Sequence, residues 1–483
     1  MFKIIAFINS AIYPVLAIAL MPSILYAFYL EDYNFASSLL LLLLITLLVT
    51  FVIRRKIIPS KQLTTIQGFA AVGISWIFIS LFGTLPYIFS NSNLSFIDIL
   101  FETISGFTTT GASILTDIES VNPALLLWRS ITQWLGGMGI VVLTISVLPL
   151  IGSGGINLFK AESPGPTTDR LTPKFKDTAK LLWLSYAGLT LLETLLLYFS
   201  GLDLFTALNH SFTTLSTGGF STLNSSISEF SIQAKWIIIL FMFIAGVSFT
   251  LLLKSFRTIK ALLESTEFKF YLFIVLTTSV IFIPKSLAIS ETFSEGINTA
   301  FFTALTLITT TGYTNVDYQL WHVDFRIFIL GLMFLGGMAG STAGGIKTIR
   351  VIALLKSVRN EIRKIIYPNA IFKIRMSRSV LPEKMIESVQ TFFILYVSIF
   401  VLGSFALSIS TNMAGLNISF EGVLSAVASA MNNIGPGLKE VGPVSNYAFL
   451  DSYSKMILSF LMIVGRLEIF PIAILFYKKT WKS

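Results

Sequence analysis

Along the chain, long apolar runs alternate with shorter, mixed ones. Windows such as ASSLLLLLLITLLVTFVI (36–53) and KWIIILFMFIAGVSFTLLL (235–253) carry almost no charge, and a helix of roughly 20 such residues crosses a bilayer core of roughly 30 Å. Four other segments are only moderately apolar: SFIDILFETISGF (95–107), LFTALNHSFTTL (204–215), GINTAFFTALTLI (296–308) and EGVLSAVASAM (421–431). At about 12 residues each is too short to span. A longer apolar helix is predicted before each one (65–90, 178–200, 267–290, 388–410) and another after it (123–150, 230–256, 324–352, 452–477). A helical hairpin, 4–30 and 36–53, stands in front. Its first helix is read as retained, because the run is too long for the apolar region of a signal peptide and contains Pro14 and Pro22.

Each short segment runs into a glycine-bearing turn: FTTTGAS (107–113), TTLSTGGFS (213–221), ITTTGYT (308–314) and MNNIGPGL (431–438). A half-helix that enters and leaves by one face is re-entrant, and irregular backbone at membrane depth is tolerated only where it lines a polar cavity. Glycine permits positive φ, so successive carbonyls can point one way. Four such turns around an axis make a ring of carbonyl oxygens able to replace an ion's hydration shell. The C-terminal ends of the half-helices favour a cation there. Small residues can also serve helix packing alone, but four copies in the same setting argue for the ring. The expected fold is therefore an all-α polytopic membrane protein of about 10 transmembrane helices and 4 re-entrant pore helices around one pore. Its units are read as 1–58 for the N-terminal two-helix domain, then 59–158, 159–262, 263–384 and 385–483 for the four pore repeats.

Composition narrows the chemistry. The chain is 54% hydrophobic and 12% charged, with no cysteine and only two histidines, His210 and His322. Disulfides and thiolate chemistry are thereby excluded, and an imidazole metal cluster is disfavoured. The net charge of +9 is a topology signal and does not point to nucleic acid. With the turns on one side, the opposite loops (Lys3, 54–61, 160–180, 254–269, 347–387, 478–482) hold most of the 34 Lys and Arg residues, which makes that side cytoplasmic. The basic stretch 347–387 could also face an acidic partner or anionic lipid.

Helix, pore helix, short filter and helix, four times in one chain, resembles the K⁺ transporter superfamily of Trk, Ktr and HKT proteins, and most closely its TrkH-type members. The leading hairpin, the loop FKAESPGPTTDRLTPKFKDTAKLLW (159–183), the segment GGMAGSTAGGIKTIR (336–350) and MNNIGPGL carry that resemblance across essentially the whole chain. It implies one filter glycine per repeat, here Gly111, Gly218, Gly312 and Gly435. K⁺ would be coordinated by flanking carbonyls of Thr109, Thr110, Ser216, Thr217, Thr310, Thr311, Asn433 and Ile434. A glycine at 111, where a serine accompanies Na⁺ transport in the plant branch, argues for K⁺. Ser216 and the NIGP of the fourth repeat break fourfold symmetry. The resemblance further implies K⁺ uptake across a bacterial inner membrane with the filter side periplasmic, no cofactor, a homodimer, and a cytoplasmic nucleotide-binding partner of the TrkA type.

The third repeat's second helix is interrupted by GGMAGSTAGGIK. Its glycines weaken a helix at roughly 1 kcal/mol each, and unwound backbone there must face a cavity. The resemblance identifies this segment with the family's intramembrane loop beneath the filter and implies a gate of Gly336, Gly337, Gly340, Ser341, Thr342, Gly344 and Gly345, with Lys347 at its cytoplasmic end. Arg466, an ionisable residue deep in a helix, resembles the family's fourth-repeat arginine near the conduction path. A plain hinge is the bland alternative for the loop, and pairing with Glu468 or Glu193 for the arginine. The loop is no nucleotide-binding P-loop, because Ile346 separates Gly345 from Lys347. Arg129 is expected to snorkel to the interface, His210 to bond locally, and Asp98 and Glu102 to cap the first half-helix. K⁺/H⁺ or K⁺/Na⁺ symport, with Glu193 or Glu468 serving the second ion, and more remotely a lipid-modifying membrane enzyme, are the rival readings.

Overall fold

The computed structural model describes residues 2–57, 65–90, 94–139, 175–377 and 379–481. The described residues are mostly helical. Helices α1 (Phe2–Ala19), α2 (Met21–Tyr29) and α3 (Tyr33–Lys56) form the leading hairpin. Asp32 caps α3 by accepting from the Phe35 amide at 3.1 Å. On α3, Leu39, Leu42, Leu43, Thr46 and Thr50 are buried while Leu40, Leu41, Leu44 and Leu48 are exposed, as expected of a helix with one face on protein and the other on lipid.

Four units of one design follow. The first contains α4 (Thr65–Phe89), half-helix α5 (Phe96–Phe107) and α6 (Pro123–Gly137). The second contains α7 (Phe175–Phe199), half-helix α8 (Leu204–Leu215), and α9 (Ile232–Ala245) with α10 (Phe249–Ser255). After a short connecting helix α11 (Lys260–Glu264), the third contains α12 (Thr266–Ile289), half-helix α13 (Phe293–Ile308), α14 (Val323–Leu332) and α15 (Thr348–Ile366). A two-stranded hairpin, Arg375–Met376 with Ser379–Val380, leads to the fourth: α16 (Glu383–Met413), half-helix α17 (Phe420–Asn432), α18 (Ser452–Arg466) and α19 (Phe470–Ala473). Every half-helix starts on a side-chain cap. Ser95, Asp203, Thr292 and Ser419 accept from the amide three residues on, at 3.2, 3.0, 3.2 and 3.1 Å, satisfying one of the orphan donors of each N-terminus.

The units close on one another in sequence order. Asn224 bonds the Ile118 amide at 2.7 Å and Asp117 at 2.9 Å, joining the first two. The Thr314 amide donates to Ser226 at 3.2 Å, joining the second and third. Arg326 pairs with Glu421 at 2.8 Å, joining the third and fourth. Lys455 pairs with Asp98 at 2.5 Å, and the fourth unit thereby returns to the first.

Among the described residues six helical segments are long and apolar enough to cross a bilayer, and two further apolar helix pairs are sharply bent. The bends are a departure from expectation. Continuous helices were predicted at 230–256 and 452–477, but the chain turns by 103° between α9 and α10 and by 115° after α18. In the fourth unit the break falls at two left-handed residues, Glu468 and Ile469, with φ of 54° and 72°. Just before it the helix packs closely, since a Cβ on Gly465 would run into the Met431 carbonyl at the end of α17. Gly136 meets the carbonyl of Phe107, the equivalent residue of α5, in the same way. The predicted helix 123–150 is seen to Gly137; its remainder lies largely outside the described residues. In the third unit α14 ends at Leu332 and helix resumes at Thr348, as the glycine-rich segment predicts.

Candidate ion pathway

The four turns share one backbone conformation. Thr109, Thr217, Thr310 and Asn433 are left-handed, with φ of 53°, 54°, 55° and 54°; two residues on, Gly111, Gly219, Gly312 and Gly435 have φ of 81°, 74°, 79° and 102°. The residue between them donates its amide back into the half-helix in each case: Thr110 to Ser105, Gly218 to Thr213, Thr311 to Thr306 and Ile434 to Ser429, all at 2.8–3.0 Å. Non-glycine residues pay for φ near 55°, so four at matching positions mark a conformation imposed by the surrounding structure.

These turns form a closed ring. A Cβ added to Gly111 would strike the Gly218 carbonyl; one on Gly219, the Thr311 carbonyl; one on Gly312, the Ile434 carbonyl; and one on Gly435 would lie 2.8 Å from the Thr110 carbonyl. Each glycine thus abuts the residue before the corresponding glycine of the next unit, and the fourth abuts the first. The register corrects one expectation. Gly219, not Gly218, stands with Gly111, Gly312 and Gly435; Gly218 takes the place of Thr110, and Ser216 that of Thr108 and Thr309. The sequence STGG offers two adjacent glycines, and only the backbone chooses between them.

Behind the ring lie polar groups that hydropathy alone does not place. Arg129 does not snorkel: it is buried, bonds Glu102 at 2.7 Å, donates to the Ser221 carbonyl at 2.9 Å, and covers the Phe220 ring at 3.4 Å. Glu102 is correspondingly not a cap but the buried partner of that cation, accepting also from the Ile114 amide at 2.9 Å. Asp98 does sit in the first turn, beside its cap Ser95 at 2.7 Å. His210 bonds locally, as expected, with Nδ1 2.8 Å from the Thr206 carbonyl and Nε2 3.0 Å from Ser221 Oγ.

Directly under the ring, the 333–347 segment forms a narrow-necked loop. Its neck is closed by the Gly336 amide donating to Ile346 at 3.0 Å and the Ile346 amide to Phe334 at 3.2 Å. The Gly344 amide donates to Thr310 Oγ1 at 2.7 Å, and a Cβ there would meet the Asn432 carbonyl. Thr342 Oγ1 donates to the Leu215 carbonyl at the end of α8 at 2.9 Å. Lys347 donates to the Ala343 carbonyl, and Ser341 Oγ to the Met338 carbonyl at 2.6 Å. Gly340 carries φ of 78° and Gly345 of 68°, while a Cβ on Gly337 would crowd the Gly246 carbonyl. Glu267 on α12 ties the middle of the loop to the start of α15, accepting from the Ala339 amide at 2.8 Å and Thr348 Oγ1 at 2.9 Å. Arg466 pairs with neither Glu468 nor Glu193; it donates to the Thr342, Gly136 and Gly137 carbonyls. Glu468 is taken by Arg350.

A family model described as "Cation transport protein" matches residues 35–294 and 265–483. The chain belongs to the TrkH family. It is 37% identical over 430 residues to the Trk system potassium uptake protein TrkH of Escherichia coli K12, covering 87% of each chain. It is 32% identical over 421 residues to the Trk system potassium uptake protein TrkI of Halomonas elongata, covering 86% of this chain and 84% of that one. The crystal structure of the potassium transporter TrkH from Vibrio parahaemolyticus superposes with a TM-score of 0.87 at 29% identity, over 100% of both chains.

Within this TrkH-family fold, the residues singled out in the sequence gather in two layers: the ring of Thr109–Gly111, Thr217–Gly219, Thr310–Gly312 and Asn433–Gly435, and beneath it the loop with Lys347 and Arg466. Sequence reasoning missed Gly219 as the ring glycine and Glu267 as the tether. The diglycine itself was the available signal for the first. The second, an acid opening a long apolar helix, reads as an ordinary N-terminal charge. Among the described residues no group of three or more His, Asp or Glu is arranged to hold a metal ion.

Proposed function

We propose that this chain is the ion-translocating subunit of a potassium uptake system. K⁺ enters from the periplasmic side of the bacterial inner membrane, sheds water onto carbonyls of the ring, and is held back beneath it by the loop 336–347 and Arg466. The observation that carries the reading is the cyclic closure of four equivalent turns, with glycine where each abuts its neighbour. The ring turns contain no acidic residue, which favours selection by carbonyls over selection by a ring of charges. Arg466 beneath the ring opposes a cation until it moves, or the loop does. A membrane potential of 100 mV supplies about 2.3 kcal/mol per charge, or roughly fiftyfold accumulation, without a coupled ion. No covalent chemistry or cofactor is required.

The basic loops lie on the cytoplasmic side in this reading. Helix α15 among them exposes Leu355, Val358, Ile362 and Ile365, an apolar row suited to contact with a cytoplasmic nucleotide-binding subunit of the TrkA type. A homodimer is the proposed assembly, embedded in membrane lipid, with no role for nucleic acid.

The test is ⁸⁶Rb⁺ uptake into KCl-loaded proteoliposomes, with K⁺ and Na⁺ as competitors. Uptake suppressed by K⁺ and not by Na⁺ supports the reading. Uptake equally sensitive to both, or none from correctly inserted protein supplied with its cytoplasmic partner, would overturn it.

A further inference from the structure

The ring is held differently in its second unit. In the first and third units the turn is braced by its own side chains: Thr108 and Thr110 hydroxyls lie 2.7 Å apart, and those of Thr309 and Thr311 2.8 Å apart. In the fourth, Ile434 fills the corresponding place and is fully buried. The second unit has Gly218 there and so contributes no side chain at all. Two adjacent glycines at 218 and 219 also leave this stretch with the greatest backbone freedom of the four.

The missing side chain is replaced from the neighbouring unit. Gln133, on α6 and fully buried, donates Nε2–H to the Gly218 carbonyl at 2.6 Å and accepts on Oε1 from the Phe220 amide at 3.0 Å. Its one amide therefore bonds on both sides of Gly219. Moreover, a Cβ on Gly218 would land on the Gln133 carboxamide itself. Glycine at 218 and glutamine at 133 occupy one shared volume: the side chain that three units supply from within is supplied here from α6. One helical turn away, Arg129 holds the next part of the same strand through the Ser221 carbonyl and the Phe220 ring.

We infer that Gln133 is a positioning and specificity-determining residue, which fixes the second-unit turn in the ring geometry by bridging Gly218 and Phe220. It need not touch the ion. It sets the direction of the Gly218 carbonyl and the φ of Gly219, and so the size of the ring that a dehydrated cation meets. A carboxamide suits this task because it offers a donor and an acceptor from one rigid plane. The inference rests on the proposed function.

The experiment compares ⁸⁶Rb⁺ uptake, with K⁺ and Na⁺ competition curves, for wild type, Gln133→Met, Gln133→Ala, Gly218→Ala and the Gln133→Ala/Gly218→Ala pair. All are first checked for monodispersity by size-exclusion chromatography. Gln133→Met keeps most of the volume and removes both hydrogen bonds. Loss of two buried bonds is expected to lower K⁺-over-Na⁺ discrimination roughly tenfold, with the maximal rate maintained or raised. Gly218→Ala alone should be worse, because its methyl collides with the carboxamide. Adding Gln133→Ala makes room for it, so the pair should discriminate better than Gly218→Ala. A merely structural role would lower the yield of folded protein and the rate together without changing the ion ratio. A selective wild type whose ratio is unaltered by Gln133→Met overturns this inference alone. A pair no better than Gly218→Ala overturns the shared volume, and an unselective wild type overturns the functional reading as well.

Discussion

Arg466 and Thr342 meet beneath the ring: Arg466 Nη1 donates to the Thr342 carbonyl at 2.8 Å. The second terminal nitrogen reaches the Gly136 carbonyl at 2.7 Å. One guanidinium therefore links the loop of the third unit to the end of α6 in the first, from a helix of the fourth. Its planar fork is suited to holding several carbonyls at once, which a lysine ammonium on a flexible stem does less well.

Removing this link should open the pathway. Hydrogen bonds to a charged group contribute about 1.5–3 kcal/mol each, so Arg466→Ala is expected to shift the loop toward its open arrangement and raise basal ⁸⁶Rb⁺ uptake at least tenfold. Arg466→Lys retains the charge with poorer bonding and should fall between. Uptake in both variants equal to wild type would show that the guanidinium does not hold the barrier.

Glu267 offers an independent handle on the same loop. It accepts from the Ala339 amide and the Thr348 hydroxyl, and it lies on α12, away from the ring. Glu267→Ala leaves both donors without their acceptor, a cost of about 1–3 kcal/mol per buried group. Basal uptake should rise severalfold while K⁺-over-Na⁺ discrimination stays at the wild-type value. A change in discrimination without a change in basal rate would contradict a tethering role.

The buried pair Glu102–Arg129 makes a prediction about stability. Both side chains are almost wholly enclosed, and breaking such a pair by removing one partner costs about 3–5 kcal/mol. Arg129→Met should lower the thermal unfolding temperature in detergent sharply, whereas Glu102→Gln/Arg129→Met together should recover much of the loss. An additive double variant would mean that the two residues act separately.

The sequence revealed the half-helices because each is an apolar stretch too short to span, lodged between spans and closed by glycine. It revealed the loop because five glycines lie within ten residues, 336–345. The breaks after Ala245 and Arg466 were hidden, since long apolar runs flank both and a single glycine does not distinguish a kink from close packing. Arg129 looked like an interfacial cation because its acid partner lies 27 residues earlier, on a different helix. The diglycine of STGG left two candidates for the second ring glycine, and the positive φ of Gly219 decides between them; the Gln133 carboxamide from another unit fills the space beside Gly218.

That register gives the last prediction. Gly111 and Gly219 both have positive φ, and each faces a neighbouring carbonyl where a Cβ would go. Serine at either position carries the left-handed backbone penalty of about 1–2 kcal/mol and pushes on the Gly218 or the Thr311 carbonyl. Gly111→Ser and Gly219→Ser are therefore expected to weaken K⁺-over-Na⁺ discrimination alike, by roughly tenfold, for an ion site distorted by about 1.4 kcal/mol. Gly218→Ser differs in kind: its conflict is with the Gln133 side chain, so pairing it with Gln133→Ala should relieve it, and the same partner should do nothing for Gly219→Ser. Competition curves for the three serine variants, each with and without Gln133→Ala, separate the cases. Relief of Gly219→Ser and not of Gly218→Ser would return the ring position to Gly218.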